Sequence, residues 1–199
     1  MTREIFLTQT PLVQTLWPGR ANAQSTDLGR DALLVLAFSL VTALSAQIAV
    51  PLPFSPVPLT GQTFGVLLTG ALLGPRLGAL AMLLYLTEGA CGLPFFAGGA
   101  FGLARLLGPT GGYLVAYPFA AALVGSLATR GWDRRPLAML AAMLLGSVVI
   151  FALGAGWLAH FVGASHALTL GVLPFLPGDV VKALLAAGLL PLGWKWIKK

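Results

Sequence analysis

Pro51-Leu52-Pro53-Phe54-Ser55-Pro56-Val57-Pro58 decides the fold, because it interrupts a run from Asp31 to Arg76 with no charged residue between them. Such a run is long enough for two membrane crossings, since one spanning helix needs roughly 20 apolar residues. The four prolines of the insert lack a backbone donor and cannot continue a helix. The run therefore reads as two helices, 31–49 and 62–73, joined by a stiff apolar connection. Gly74-Pro75 ends the second, and a short third helix follows over 76–87. Further along lie a Gly/Pro-rich loop over 89–110 and a helix over 111–129, stopped by Arg130-Gly131-Trp132-Asp133-Arg134-Arg135-Pro136. A helix over 137–162 comes next, and a sixth begins near Pro177-Gly178 and ends near Pro191.

Composition supports this reading independently. Of 199 residues, 57% are hydrophobic and 9% charged, whereas a soluble domain carries about a quarter charged residues. Mean hydropathy is +0.88. These values exclude disorder, a soluble globule and a large soluble catalytic domain. The expectation is an all-α integral membrane protein of six transmembrane helices, with Pro/Gly-rich outer loops capping a pocket. Residues 1–30 form a polar arm, 31–195 the membrane domain, and 196–199 a basic tail. The arm has no apolar h-region and so does not read as a signal peptide.

Six spans put both termini on one side. With the N-terminus inside, ten of the twelve basic residues fall on the cytoplasmic side, leaving Arg105 in an outer loop and Lys182 within the sixth helix. That asymmetry follows the positive-inside rule. The net charge of +6 is thus an orientation signal and not a nucleic-acid footprint. All three Leu-Pro-Phe triplets, at Leu52, Leu93 and Leu173, then fall in outer connections. Loops that apolar either belong to the membrane interface or fold over a pocket.

Ionisable residues inside a membrane are costly unless paired or hydrated. Asp179 and Lys182, three apart near the outer end of the sixth helix, share a helix face. They form either a closed ion pair or a pair shared with a polar ligand. Arg105 suits a ligand carboxylate or a lipid headgroup, and Glu88 reads as interfacial. His160 and His166, without acidic neighbours, make a poor metal site. Ser147 and Ser165 lack a Gly-x-Ser-x-Gly setting, and Ser165 is adjacent to His166 in sequence, a poor nucleophile–base arrangement. No Walker loop occurs, and the single cysteine, Cys91, excludes an internal disulfide. In the first helix, Ser39 with Ala43 and Thr42 with Ala46 place small residues at i, i+4, a spacing that admits a close helix neighbour. That neighbour is either a partner protein or the same bundle.

Taken together, Pro51-Leu52-Pro53-Phe54, Val57-Pro58-Leu59-Thr60-Gly61-Gln62-Thr63-Phe64, Gly92-Leu93-Pro94-Phe95-Phe96, Gly108-Pro109-Thr110-Gly111-Gly112-Tyr113 and Pro177-Gly178-Asp179-x-x-Lys182 resemble the BioY family. These are the biotin-specific substrate-binding subunits of energy-coupling factor transporters. The resemblance covers residues 30–195. It implies a six-helix fold in a bacterial plasma membrane that captures biotin from outside and needs no cofactor. It also implies partners, a transmembrane coupling protein and two ATP-binding cassette ATPases, for which Ser39, Thr42, Ala43 and Ala46 are the expected docking face. Asp179 would accept from the ureido N–H groups, while Lys182 and Arg105 would meet the carbonyl or carboxylate. Gln62, Tyr113, Phe54 and Phe95 would complete the site. The competing classes are a self-sufficient secondary transporter of a small carboxylated solute and, more remotely, an intramembrane enzyme. Against them, the sequence shows no inverted repeat, no carboxylate relay and no assembled nucleophile.

Overall fold

Asp27 opens the first long helix by accepting a hydrogen bond from the Arg30 amide, and the helix runs to Gln47. The structure, a computed structural model, describes residues 11–17 and 27–197. Its helices are α1 (Leu12–Leu16), α2 (Leu28–Gln47), α3 (Gln62–Ala90), α4 (Leu103–Leu107), α5 (Gly111–Thr129), α6 (Pro136–Val162), α7 (Ala164–Gly171) and α8 (Leu176–Ile197). Two short strands, β1 (Ala49–Val50) and β2 (Leu59–Thr60), pair antiparallel with Ala49 opposite Thr60. The proline-rich insert is the loop of this hairpin. Five helical stretches are long and apolar enough to cross a membrane.

Helix α3 is not straight. Gly74 has φ +82° and ψ −179°, a conformation open essentially to glycine alone, and Pro75 starts the next segment with its φ already set for a helix. The two arms fold back on each other. A Cβ on Gly78 would lie 2.9 Å from the Cα of Gly70, and the Gln62 side chain bonds to the Tyr85 hydroxyl. In a straight helix those last two residues would be roughly 34 Å apart. The doubled helix packs most extensively against α5, and α5 packs in turn on α6.

The corner at Gly74 is covered by the described part of the N-terminal arm. The Pro11 ring fills the space beside Gly74, and Gln14 Nε2 donates to the Leu73 carbonyl at 3.2 Å. That carbonyl is one that a helix end leaves unpaired. The rest of the expected arm, residues 1–10 and 18–26, and the tail residues Lys198 and Lys199 lie outside the described residues. At the same end of the bundle Trp194 of α8 donates its indole N–H to Asp133, and Arg134 stacks 4.1 Å above the Trp194 ring.

Two expectations need correction. Pro191 does not end the last helix, which continues to Ile197 with Leu190, Pro191 and Trp194 buried. Proline is tolerated inside helices of membrane proteins because neighbouring elements compensate for the single lost donor. The connection between the last two long helices is not irregular either, since it contains α7 and a 3-10 turn at Leu173–Phe175. Two carbonyls at the end of α7 are satisfied from elsewhere: Leu170 accepts from Ser55 Oγ at 2.7 Å and Gly171 from the Tyr113 hydroxyl at 2.8 Å. The proline-rich loop is thereby held down over α7.

A candidate ligand site at one end of the bundle

A cavity of about 530 Å³, its open mouth included, lies at the end away from the Gly74 corner. Four elements build it. The proline-rich loop and β2 contribute Val57, Pro58 and Thr60, and the start of α3 contributes Gln62 and Thr63. The 91–110 connection supplies Phe96, Ala97, Ala100, Arg105 and Thr110, and α5 supplies Tyr113, Leu114 and Tyr117. Tyr113 and Tyr117, four apart on one helix, face the cavity together.

Thr63 also borders a narrow, closely packed cleft lined by Asp179, Lys182 and Ser147. The Lys182 ammonium donates to the Thr60 carbonyl at 2.9 Å, the Thr63 hydroxyl at 2.7 Å and Asp179 Oδ1 at 3.2 Å. An ammonium has three N–H donors, so all three are engaged within the chain. Thr63 in turn donates to Asp179 Oδ1 at 3.3 Å. Asp179 is 5% exposed, and its second oxygen, Oδ2, is buried without a partner among the described residues. A buried acceptor left open costs roughly 1–3 kcal/mol. The pair is therefore half closed, with the lysine saturated and one buried carboxylate oxygen without a partner among the described residues.

Under the cavity floor lies a network of neutral groups. The Tyr85 hydroxyl donates to the Phe95 carbonyl at 3.0 Å and accepts from Gln62 Nε2. Gln62 Oε1 accepts from the Thr60 hydroxyl at 3.2 Å and the Tyr117 hydroxyl at 3.3 Å. Tyr85 also meets Phe96 edge-on, ring centroids 5.7 Å apart. Arg105 is exposed at the cavity wall on α4 and makes no ion pair among the described residues.

The sequence-selected residues thus divide. Gln62, Arg105 and Tyr113 line the main cavity, and Asp179 and Lys182 stand behind Thr63 in the adjoining cleft. Phe54 is 58% exposed, and Phe95 reaches the site through its carbonyl, not its ring. Phe96, Tyr117, Thr60 and Thr63 were not singled out as site residues, although all four line the cavity. Thr60, Thr63 and Phe96 stand in the quoted motifs, and Tyr117 is signalled by its i, i+4 relation to Tyr113.

Ser39, Thr42, Ala43 and Ala46 are all buried, on the side of α2 that packs against α3. Thr42 Oγ1 reaches the Met82 sulfur at 3.9 Å. This small-residue face serves the chain's own bundle, so its expected use as a docking face is corrected. Glu88 is half-buried and does not line the cavity. His160 and His166 are exposed. Ser165 Oγ does approach His166 Nδ1, at 3.2 Å, despite their adjacency in sequence. No carboxylate orients that ring among the described residues.

A helical membrane bundle with a mostly apolar cavity and a few convergent polar groups at one end is a membrane-embedded small-ligand binding protein. The BioY family profile matches residues 19–199, and the chain belongs to that family. It is 46% identical over 154 residues to the probable biotin transporter BioY of Pyrococcus horikoshii, covering 77% of this chain and 90% of the relative. It is 40% identical over 167 residues to the biotin transporter BioY of Rhizobium etli, covering 79% and 89% of the two chains. Its fold matches the crystal structure of the S-component for biotin from an ECF-type ABC transporter, with TM-score 0.73 and 26% identity over 86% of this chain and 95% of that one.

Proposed function

We propose that this chain captures biotin from the outer face of a bacterial membrane as the substrate-binding subunit of an energy-coupling factor transporter. The observation that carries the reading is the site's spare hydrogen-bonding capacity. Among the described residues Asp179 Oδ2 is an unpartnered acceptor for a ureido N–H, and Arg105 makes no ion pair and faces the cavity as a cation for the carboxylate. The rings of Phe96, Tyr113 and Tyr117 provide apolar walls for the thiophane ring. Lys182 acts indirectly, by holding Thr60, Thr63 and Asp179 in place.

Six crossings follow if the arms of α3 count separately. The first arm, Gln62 to Leu73, is roughly 18 Å long, against a hydrocarbon core of about 30 Å. Gln62 therefore sits below the outer membrane boundary, and the apolar loops fill the space above it. Arg30, Arg76, Arg130, Arg134, Arg135 and Lys195 gather at the end opposite the cavity, which makes that end, and both termini, cytoplasmic. Uptake is driven by a coupling protein and two ATPases that meet the bundle on a surface other than the buried face of α2. Native mass spectrometry of the detergent-purified chain should show a bound species of biotin's mass. Recovery of apo protein that also fails to bind added biotin would refute the reading.

A further inference from the structure

We infer that Tyr85 fixes which end of the Gln62 amide meets the ligand, and so makes the site selective for a carbonyl over a cationic imine. The inference rests on the biotin reading above and concerns a residue that does not line the cavity. The chain of bonds has only one consistent direction. The Phe95 carbonyl can only accept, so the Tyr85 hydroxyl, 3.0 Å away, must give it its single proton. Tyr85 oxygen then acts toward Gln62 as an acceptor, which requires the amide nitrogen on that side. Gln62 Oε1 is left facing the Thr60 and Tyr117 hydroxyls, both able to donate.

An amide nitrogen carries two N–H donors, and Tyr85 takes one. The second has no acceptor among the described residues, and Gln62 lines the cavity while being only 4% exposed. The site thus offers a fixed N–H donor from Gln62 and a fixed carboxylate acceptor from Asp179 Oδ2, with Thr63 between the main cavity and the cleft. A cyclic urea presents the complement, a carbonyl acceptor beside an N–H donor. An analogue whose carbonyl is replaced by a protonated imine sets donor against donor at Gln62. Tyr85 is a positioning residue: without its hydroxyl, Gln62 is free to turn and present oxygen instead.

The test is titration of the purified full-length chain with biotin and with 2-iminobiotin, its guanidine analogue, cationic at neutral pH. Wild type should prefer biotin, and Tyr85→Phe should narrow that preference by about tenfold, the worth of one uncompensated hydrogen bond. General loosening of the bundle would instead lower both affinities together. An unchanged preference in Tyr85→Phe overturns the inference while leaving the biotin reading intact. Wild type that binds neither ligand overturns the biotin reading itself. Should Tyr85→Phe not fold, Gln62→Glu decides. Offering oxygen alone, it should shift preference toward the imino analogue, and an unshifted preference overturns the inference.

Discussion

Replacing Lys182 by methionine separates what the lysine does for the fold from what it does for the ligand. The ammonium makes three hydrogen bonds, to the Thr60 carbonyl, the Thr63 hydroxyl and Asp179 Oδ1. Removing one member of a buried ion pair costs about 3–5 kcal/mol, because the remaining charge stays desolvated. Neutralising both members relieves that strain, so Asp179→Asn/Lys182→Met should recover at least about 2 kcal/mol relative to Lys182→Met. Binding should behave differently. Losing the Asp179 carboxylate removes a charge-assisted bond of about 1.5–3 kcal/mol, ten- to a hundredfold in affinity, and the double variant should not regain it. Since no ammonium donor is left over, Lys182→Met should weaken biotin and biotin amide by the same factor. Denaturant unfolding in detergent gives the first set of values and titration of both ligands the second. A loss confined to the free acid would place the ammonium on the ligand carboxylate. A double variant no more stable than Lys182→Met would refute the buried-pair argument.

Arg105→Ala should reduce biotin affinity about tenfold and leave biotin amide nearly unaffected, as read by the same titration. Gly74→Ala should lower stability by about 1–3 kcal/mol or more, through positive-φ strain and collision with the Pro11 ring, as a fall in melting temperature. Asp133 is buried, and that burial, partly offset by the Trp194 N–H and the Arg134 charge, pushes its carboxyl up to about 6. The folded state then holds a proton more tightly than the unfolded chain, so stability should fall by about 3 kcal/mol as pH rises from about 3 to 7; in Asp133→Asn this slope should be absent. A membrane-impermeant thiol reagent applied outside should modify Cys91, exposed at the cavity end of α3. It should fail to modify Cys91→Ser/Arg135→Cys, and labelling at position 135 would reverse the orientation.

Most of the helical framework was legible because membrane helices announce themselves by apolar length and by the charges that stop them. The 111–129 helix was read with its observed limits, Thr110 preceding it and Arg130 following. Gly74-Pro75 was legible as a break because one residue supplies the positive φ and the other cannot extend a helix. The failures are equally physical. Pro191 was read as a stop by the rule for water-exposed helices, yet here it is buried among packed neighbours. Helix α7, Ala164–Gly171, is short, and its last carbonyls are satisfied by Ser55 and Tyr113 from distant parts of the chain. The small residues of α2 show a different limit: their spacing predicts a close neighbour but not whether that neighbour is the same chain.

The site was legible as a set of residue types and not as a set of free valences. Asp179 and Lys182 stood out because charge is rare in such a sequence, and that criterion ranks them equally. Geometry does not, since three internal acceptors saturate the lysine while one oxygen of the aspartate remains open. Gln62 was visible in a motif, but the direction of its amide depends on the Phe95 carbonyl, reached through Tyr85 from the far arm of α3. What a ligand meets is the hydrogen-bonding capacity left after the protein has satisfied itself. That remainder is set by contacts between residues far apart in sequence, here positions 62, 85 and 95. A charged residue in a membrane therefore marks where to look, and the unsatisfied atoms beside it are the candidate ligand contacts.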